Sequence, residues 1–165
     1  MINKFCTFIA LVIFLALTGC EKEENMKDIS QITVVSEAGS ILPELRWHEE
    51  YIINKDTVTF KRNGFVDTSE VNAGNWEIPT DAQTISALFM ALETVNLKSI
   101  ERVEPTDPPD GGESSFYEIT FENGKKYSLA YNPGVTYTNG KLITQPLQVF
   151  IESLRLPTDA ISRQK

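Results

Sequence analysis

The chain has 165 residues and a formal net charge of −8, from 23 acidic and 15 basic side chains. This balance opposes binding to nucleic acid, because that affinity comes largely from Lys and Arg residues that neutralise phosphates. The length predicts a single domain. The chain has only two cysteines, Cys6 and Cys20. Both lie near the N-terminus, which leaves the predicted domain without a thiol for a disulfide, a nucleophile or a metal ligand.

The N-terminal segment predicts export and lipidation. Residues 9–17 form an unbroken apolar run after Lys4, which is typical of a signal peptide and shorter than the roughly 20 residues that a membrane-spanning helix needs. The sequence Leu17-Thr18-Gly19-Cys20 that follows resembles the lipobox of bacterial lipoproteins. The resemblance implies that residues 1–19 are a signal peptide and that acyl chains on Cys20 join the protein to the membrane.

The charged residues after the cysteine predict a destination. Lys22, Glu23 and Glu24 resemble the surface-export signal of Bacteroidota lipoproteins, which implies a lipid-anchored protein on the outer face of the outer membrane of a Gram-negative bacterium. The alternative is that these charges only keep a tether solvated. In both interpretations residues 20–30 form an acylated cysteine and a flexible acidic tether, and residues 31–157 form the domain.

Apolar residues that alternate with polar ones predict strands through most of the domain. Ile32 begins the first strand, and Leu45, Trp47, Tyr51 and Ile53 share one phase of the second, which predicts that all four face the core. A hairpin is predicted across residues 54–56. Asn-Gly pairs favour type I′ hairpin turns, since both residues tolerate positive φ, and they occur three times: Asn63-Gly64, Asn123-Gly124 and Asn139-Gly140. The sheet is therefore predicted to be mostly an antiparallel meander.

Two helices are predicted from spacings of three and four residues. The first opens at Thr80, with Gln83 completing a capping box, and its apolar face is Ile85, Leu88, Phe89, Leu92 and Val95. The second begins after Thr144, with Pro146 in its first turn, and stops before Pro157, which leaves residues 158–165 as a loose tail. The fold class is thus α+β, with two helices on one face of the sheet. The repeated order of hairpin and helix suggests an internal duplication, although common physics would also produce it.

The sequence predicts no catalytic site, metal or cofactor. His48 is the only histidine, so the chain lacks the paired imidazoles of an HExxH zinc site, and alternation points His48 away from Trp47, towards solvent. No serine lies in a GxSxG elbow. Carboxylates that a glycosidase would need are present at Glu49, Glu50, Asp107 and Asp110, but as solvated surface acids they need no catalytic role. The chain is therefore predicted not to be an enzyme.

Candidate binding residues lie in turns. Residues 105–115 form the longest turn-rich stretch, and their acids, Asp107 and Asp110, do not have the spacing of an EF-hand. Exposed loops of this kind often carry binding surfaces. The aromatic candidates for stacking on sugars or anchoring a protein are Trp76, Tyr131 and Tyr137. Asp56-Thr57-Val58 resembles the short O-glycosylation signal of Bacteroidota proteins, which implies a glycan on Thr57.

The order of elements over residues 45–155 carries one further resemblance. With Tyr117-Glu118-Ile119, Gly124 and the apolar residues from Leu147 to Leu154, it is similar to the emfourin-like proteins, small inhibitors of thermolysin-type metalloproteases. No residue matches an inhibitory contact. The resemblance implies a fold, and it suggests that the protein binds an extracellular or envelope protein, such as a protease. The alternative is glycan binding as an accessory to polysaccharide uptake.

Overall fold

A computed structural model describes residues 27–39 and 41–161. The predicted signal peptide, Cys20 and the export-signal residues Lys22, Glu23 and Glu24 lie outside the described residues. Helices and strands alternate in groups along the chain. The strands are β1 (Ile29–Glu37), β2 (Trp47–Asn54), β3 (Val58–Gly64), β4 (Gly74–Ile78), β5 (Glu101–Val103), β6 (Ser114–Phe121), β7 (Lys126–Tyr131) and β8 (Thr136–Thr138). The helices are α1 (Ala82–Glu93), α2 (Lys141–Ser153) and α3 (Thr158–Ile161), with 3-10 turns at Pro43–Leu45 and Leu97–Ser99.

Six strands form one sheet in the order β4-β3-β2-β1-β6-β7, and β5 pairs with β8 in a separate ribbon. Every strand pair is antiparallel. Strands β1 to β4 follow one another as a meander, and the β6–β7 hairpin adds to the free side of β1. This arrangement confirms the predicted α+β class with a mostly antiparallel sheet.

One face of the sheet and the two long helices enclose the core. Ile32 of β1 lies opposite Ile53 of β2 and Ile119 of β6, and all three are almost fully buried. The predicted apolar face of α1 packs on these strands together with α2. The buried helix residues are Ile85, Leu88, Phe89, Leu92, Ile143, Leu147 and Phe150. Burial of each such side chain contributes about 1.5–3 kcal/mol, so the helix-covered face holds most of the stabilising apolar contact.

Both helix starts differ from their predicted positions. Asp81, rather than Thr80, caps α1, because its carboxylate accepts a hydrogen bond from the backbone N–H of Thr84 at 3.0 Å. Helix α2 begins at Lys141, so Pro146 lies inside the helix and not in its first turn.

Two of the three Asn-Gly pairs do not form hairpin turns. At Asn63-Gly64, strand β3 continues to pair with β2, with Gly64 opposite Trp47. Gly64 is needed for another reason, since an added Cβ would lie 2.0 Å from the Ser69 hydroxyl oxygen. Gly140 is the N-cap of α2 and leaves room for the Tyr131 hydroxyl. Only Asn123-Gly124 lies in a hairpin turn, with φ of +77° at Gly124. The order of a strand pair followed by a helix thus occurs twice, as the suggested internal duplication requires. The Asn-Gly pairs, however, have different conformations in the two halves.

The first part of the segment predicted as a loose tail is a short helix, α3. Its Ala160 is fully buried, and the Ala160 carbonyl oxygen accepts a hydrogen bond from Arg62 Nη1 at 2.5 Å. Arg62 also donates to the Glu49 carboxylate, with an Nε to Oε1 distance of 2.8 Å. The hydrogen bond from Arg62 to Ala160 therefore connects α3 to the sheet, and the ion pair with Glu49 fixes Arg62 on the sheet.

Candidate functional site

Long connections meet at one end of the six-stranded sheet. We call this the loop end and define it as the described residues of four segments: 38–46 without residue 40, 65–73, 104–113 and 132–135. Strand register places these segments together, because Glu37 pairs with Ser114, Trp47 with Gly64, and Ser115 with Tyr131. The opposite end, which we call the turn end, holds residues 27–28 and the short turns 55–57 and 122–125.

Backbone contacts join the three long loops into one surface. The N–H of Glu70 donates to the carbonyl oxygen of Glu44 at 2.9 Å, and the Ser69 hydroxyl donates to the same oxygen at 3.3 Å. On the other side, Gly39 approaches Gly112 so closely that an added Cβ would lie 2.0 Å from the Gly112 carbonyl oxygen. The loops therefore hold one another in place rather than extending separately into solvent.

Five large apolar side chains are exposed on this surface. We call them the apolar tip: Ile41, Leu42, Leu45, Phe65 and Val66. Leu42 is the most exposed of them, at 61%. Alternation predicted that Leu45 and Trp47 face the core, but Leu45 lies in the exposed 3-10 turn and Trp47 is only partly buried outside the core cluster. The sequence pattern failed here because the strand begins only at Trp47.

Arg46 packs against Phe65 of the apolar tip. Its guanidinium carbon lies 4.4 Å from the centre of the Phe65 ring, a distance at which a cation is attracted to the ring face. The Nε atom of Arg46 is buried and has no hydrogen-bond partner within the described residues. One face of Phe65 is therefore covered by Arg46.

Two cavities lie where residues 38–46 meet residues 104–113. The first, of about 240 Å³, is lined by polar groups that include Glu37, Arg46 and Ser114. The second, of about 360 Å³, lies between Ile41, Trp47 and Asp110. Of the predicted binding residues, Asp110 is thus the one that the structure brings beside the apolar tip.

The loop end is strongly acidic. Residues 38–46, 65–73 and 104–113 contain one basic residue, Arg46, and these acids: Glu44, Asp67, Glu70, Glu104, Asp107, Asp110 and Glu113. Glu104 pairs with Arg102. The others form no ion pair with any residue between 27 and 161 that the structure describes. Three acids on the sheet differ, since Glu49, Glu50 and Glu118 each pair with a cation.

The aromatic candidates lie away from the apolar tip and are packed. Trp76 lies on the core face of β4 and stacks on Phe60 with ring centres 5.7 Å apart. The rings of Tyr131 and Tyr137 contact each other, with centres 4.9 Å apart. The Tyr137 hydroxyl accepts a hydrogen bond from the backbone N–H of Ala130 at 3.0 Å. Burial raises the pKa of Tyr131. Stacking on a sugar needs a free ring face, so this arrangement disfavours both tyrosines as a sugar platform.

The remaining predicted residues lie apart from one another. Asp107 is exposed on the proline-rich loop, which is held where Pro109 contacts Gly134 of the adjacent turn. Thr57 lies at the turn end, where its hydroxyl oxygen accepts a hydrogen bond from the Asn54 side-chain amide at 3.1 Å. The predicted set therefore does not form one site.

His48 faces away from the core, as alternation predicted. Its Nδ1 lies 2.8 Å from the Glu37 carboxylate, across the β1–β2 pair. Among the residues that the structure describes, no three His, Cys, Asp or Glu side chains are grouped as metal ligands. No helix in that part of the chain is long and apolar enough to cross a membrane.

Comparison with known proteins adds nothing to this geometry. No family model, no curated protein and no solved structure matches the chain. Both the lipoprotein and the emfourin-like resemblances therefore stay predictions from the sequence.

Proposed function

We propose that this protein is a non-enzymatic, lipid-anchored protein of the outer membrane surface, and that it binds another protein with its loop end. The observation that carries the proposal is the apolar tip. Scattered apolar side chains on a surface are ordinary, but a group of them bordered by polar residues is typical of an interaction site, and these five lie on two loops that contact each other. The loops that present this group are fixed by mutual hydrogen bonds, and a fixed surface loses less entropy on binding.

The position of the apolar tip suits a protein anchored at Cys20. The chain enters the sheet at Ile29, at the turn end, and β1 runs nine residues to the loop end. At about 3.3 Å per residue, the strand spans about 30 Å. An anchor on Cys20 would therefore attach near the turn end and leave the apolar tip clear of the lipid.

Lipidation is tested with radiolabelled palmitate and a Cys20→Ser variant. We expect the label to enter the native chain and not the variant, and the variant to leave the membrane fraction. Equal labelling of both chains would contradict the anchor.

A more specific form of the proposal is that the protein inhibits a thermolysin-type metalloprotease. The inhibition would use no thiol, because the predicted domain contains no cysteine. Its support is the emfourin-like order of elements, together with apolar side chains that project from loops at one end of a rigid sheet. Inhibition of such a protease by the full chain, and loss of inhibition when the apolar tip is changed, would establish it. Glycan binding is the weaker alternative, because Tyr131 and Tyr137 contact each other through their rings.

The central test compares two matched double variants for capture of partners from envelope extract and medium. In the tip variant, Leu42→Ser and Phe65→Ser remove exposed apolar groups from the apolar tip. In the control variant, Met90→Ser and Val149→Ser remove two exposed apolar side chains from the helices, Met90 at 59% and Val149 at 61% exposure. Both variants are made in the full chain.

We expect one enriched protein that the native chain and the control variant retain and the tip variant loses. Truncation of central contact residues typically costs about 2 kcal/mol or more, so its affinity should fall roughly 30-fold. Equal retention by both variants would exclude the apolar tip as the binding surface.

A further inference from the structure

The charges around the apolar tip identify the chemistry of its partner. We infer that the loop end binds a polypeptide whose contact surface has an apolar centre bordered by Lys and Arg. This inference rests on the proposed function and adds the partner class to it. The juxtaposition that carries it is an apolar tip surrounded by carboxylates that have no cationic partner among the described residues.

The apolar tip lies on two of the three long loops, residues 41–45 and 65–66, and the acids lie on these two loops and on residues 104–113. Leu42 and Leu45 flank Glu44, and Phe65 and Val66 directly precede Asp67. Contacts between the loops bring two further acids close to the apolar tip. Glu70 donates its N–H to the Glu44 carbonyl oxygen, and Asp110 lines a cavity with Ile41. An approaching surface that covers the apolar tip must therefore also meet this border of carboxylates.

These carboxylates are available to a partner. The side chains of Asp67, Glu70, Asp110 and Glu113 are exposed. The hydrogen bonds of Glu44 and Glu70 that hold the loops together use backbone atoms. The side-chain charges are thus not needed for the loop contacts, and removing them should leave the surface in place.

Electrostatic complementarity decides between classes of partner. A second copy of this chain would place the same acids opposite one another, and like charges that meet in an interface cost several kcal/mol. An anionic lipid surface or a nucleic acid would be repelled for the same reason. A surface bordered by Lys and Arg would instead be attracted, and its own apolar centre would cover Leu42 and Phe65.

Arg46 does not alter this preference. Its guanidinium lies under Phe65 and lines the polar cavity with Glu37, whose carboxylate is 2.8 Å from His48. The one cation of the three loops therefore serves the packing of the apolar tip, while the carboxylates form the border.

Three synthetic peptides of equal length test the inference. The leucine-lysine peptide has a central block of leucines with lysines on both sides. The leucine-glutamate peptide has glutamates in place of the lysines, and the serine-lysine peptide has serines in place of the leucines. Binding is measured by fluorescence anisotropy on the chain from residue 20 onwards with Cys20→Ser, which retains every described residue and needs no detergent.

Four variants of that chain accompany the native sequence. The tip variant is Leu42→Ser with Phe65→Ser, and its helix control is Met90→Ser with Val149→Ser. The acid variant removes four charges at the loop end: Glu44→Gln, Asp67→Asn, Glu70→Gln and Asp110→Asn. The matched acid control removes four charges elsewhere: Asp56→Asn, Glu77→Gln, Glu93→Gln and Glu152→Gln.

We expect the leucine-lysine peptide to bind at least roughly tenfold more tightly than either other peptide. The tip variant and the acid variant should each weaken this binding, and both controls should retain it. Raising the salt from about 0.05 M to about 0.5 M should also weaken it, because exposed charges are screened over shorter distances.

Three outcomes would overturn the inference. Equal binding of the leucine-lysine and leucine-glutamate peptides would show that charge does not guide recognition. An equal loss in the acid variant and the acid control would show attraction by net charge alone. Absence of binding by the leucine-lysine peptide would also reject this partner class. The proposed function is decided separately, because a captured partner that the tip variant loses and the acid variant retains would sustain it while this inference fails.

Discussion

The two ends of the six-stranded sheet differ in connection length, in charge and in apolar exposure. At the turn end, residues 55–57 and 122–125 join neighbouring strands, and Lys55 pairs with Glu122 across the two turns. The charges of these turns and of residues 27–28 balance: Lys27, Asp28, Lys55, Asp56, Glu122 and Lys125. At the loop end, the three long loops together carry the apolar tip and seven acids, six of which have no ion-pair partner among the described residues.

The two ends differ in whether their features contribute to folding. Folding needs short turns that fix strand register, and the turn end has them. Folding does not need exposed apolar side chains or clustered like charges, yet the loop end has the apolar tip and acids that form no ion pair with a described residue. This difference is the reason for the proposal that the loop end is a binding surface.

The largest expected effect on stability comes from Gly39 at the loop end. In Gly39→Val, the new side chain would enter the space of the Gly112 backbone, where a Cβ alone lies 2.0 Å from the carbonyl oxygen. Overpacking of this kind typically costs about 1–3 kcal/mol, so we expect the free energy of unfolding to fall by about 2 kcal/mol in urea denaturation.

Gly39→Val should also disrupt the apolar tip and its partner binding, since it separates the loops. The matched control is Ser36→Val, three residues earlier in the chain and within β1. A Gly39→Val protein with native stability would mean that residues 38–46 and 104–113 are not in contact.

Tyr51 reports on the core that both ends share. Burial, followed by the charge of Glu49, raises the pKa of Tyr51 to about 12, above the value of about 10 in an unfolded chain. Between these values the unfolded chain releases the Tyr51 proton and the folded chain keeps it, so stability is present below pH 10 and is lost as the pH rises towards 12. A difference of two pKa values corresponds to at most about 2.7 kcal/mol.

The measurement is urea unfolding at about pH 9 and about pH 11 for the native chain and Tyr51→Phe. The variant should lose less stability at the higher pH, while the tip variant should show the native pH dependence. Identical alkaline losses in the native chain and Tyr51→Phe would contradict the assignment. Burial also raises the pKa of Tyr117 and of Tyr127, so some alkaline loss remains in the variant.

The sequence predicted the turn end and the core better than the loop end. Alternation through Tyr51 and Ile53, and helical spacing through Ile85, Leu88 and Leu92, report burial directly, because one face of a regular element must meet the core. Asn63-Gly64 was misread since local turn preference lost to cross-strand pairing, in which Gly64 lies opposite Trp47.

The loop end could not be predicted because exposure of an apolar loop residue leaves no periodic signal. Ile41 and Leu42 precede Pro43 and belong to neither a period of two nor one of 3.6 residues. Phe65 and Val66 follow an Asn-Gly pair that predicted a turn in the wrong place. Only Ile41 and Leu42 lay outside every predicted element, whereas Leu45, Phe65 and Val66 were placed on predicted strands. The contacts of Gly39 with Gly112 and of Glu44 with Glu70 join distant segments, which a single sequence does not reveal.

A smaller effect is expected from Gly124 at the turn end. Its φ is +77° and nothing lies within 4 Å of an added Cβ, so Gly124→Ala meets no neighbour and costs only the left-handed backbone conformation, about 1 kcal/mol. Gly124→Asn should cost less, because Asn adopts this conformation more readily. Thermal unfolding of the two variants gives the comparison with Gly39→Val, and a gain in stability for Gly124→Ala would contradict the positive φ.

The smallest effect on stability is expected at Leu42, the most exposed member of the apolar tip. Its side chain buries little area, and substitutions at such sites usually change the free energy of unfolding by less than about 0.5 kcal/mol. Leu42→Ser should therefore unfold at the native urea concentration while losing partner affinity. A matched loss of stability would instead mean that Leu42 packs within the loop end, and the apolar tip would then be part of the fold. Gly39→Val should lower both stability and binding, whereas Leu42→Ser should lower binding alone. The two variants therefore distinguish residues that stabilise the loop end from residues that contact the partner.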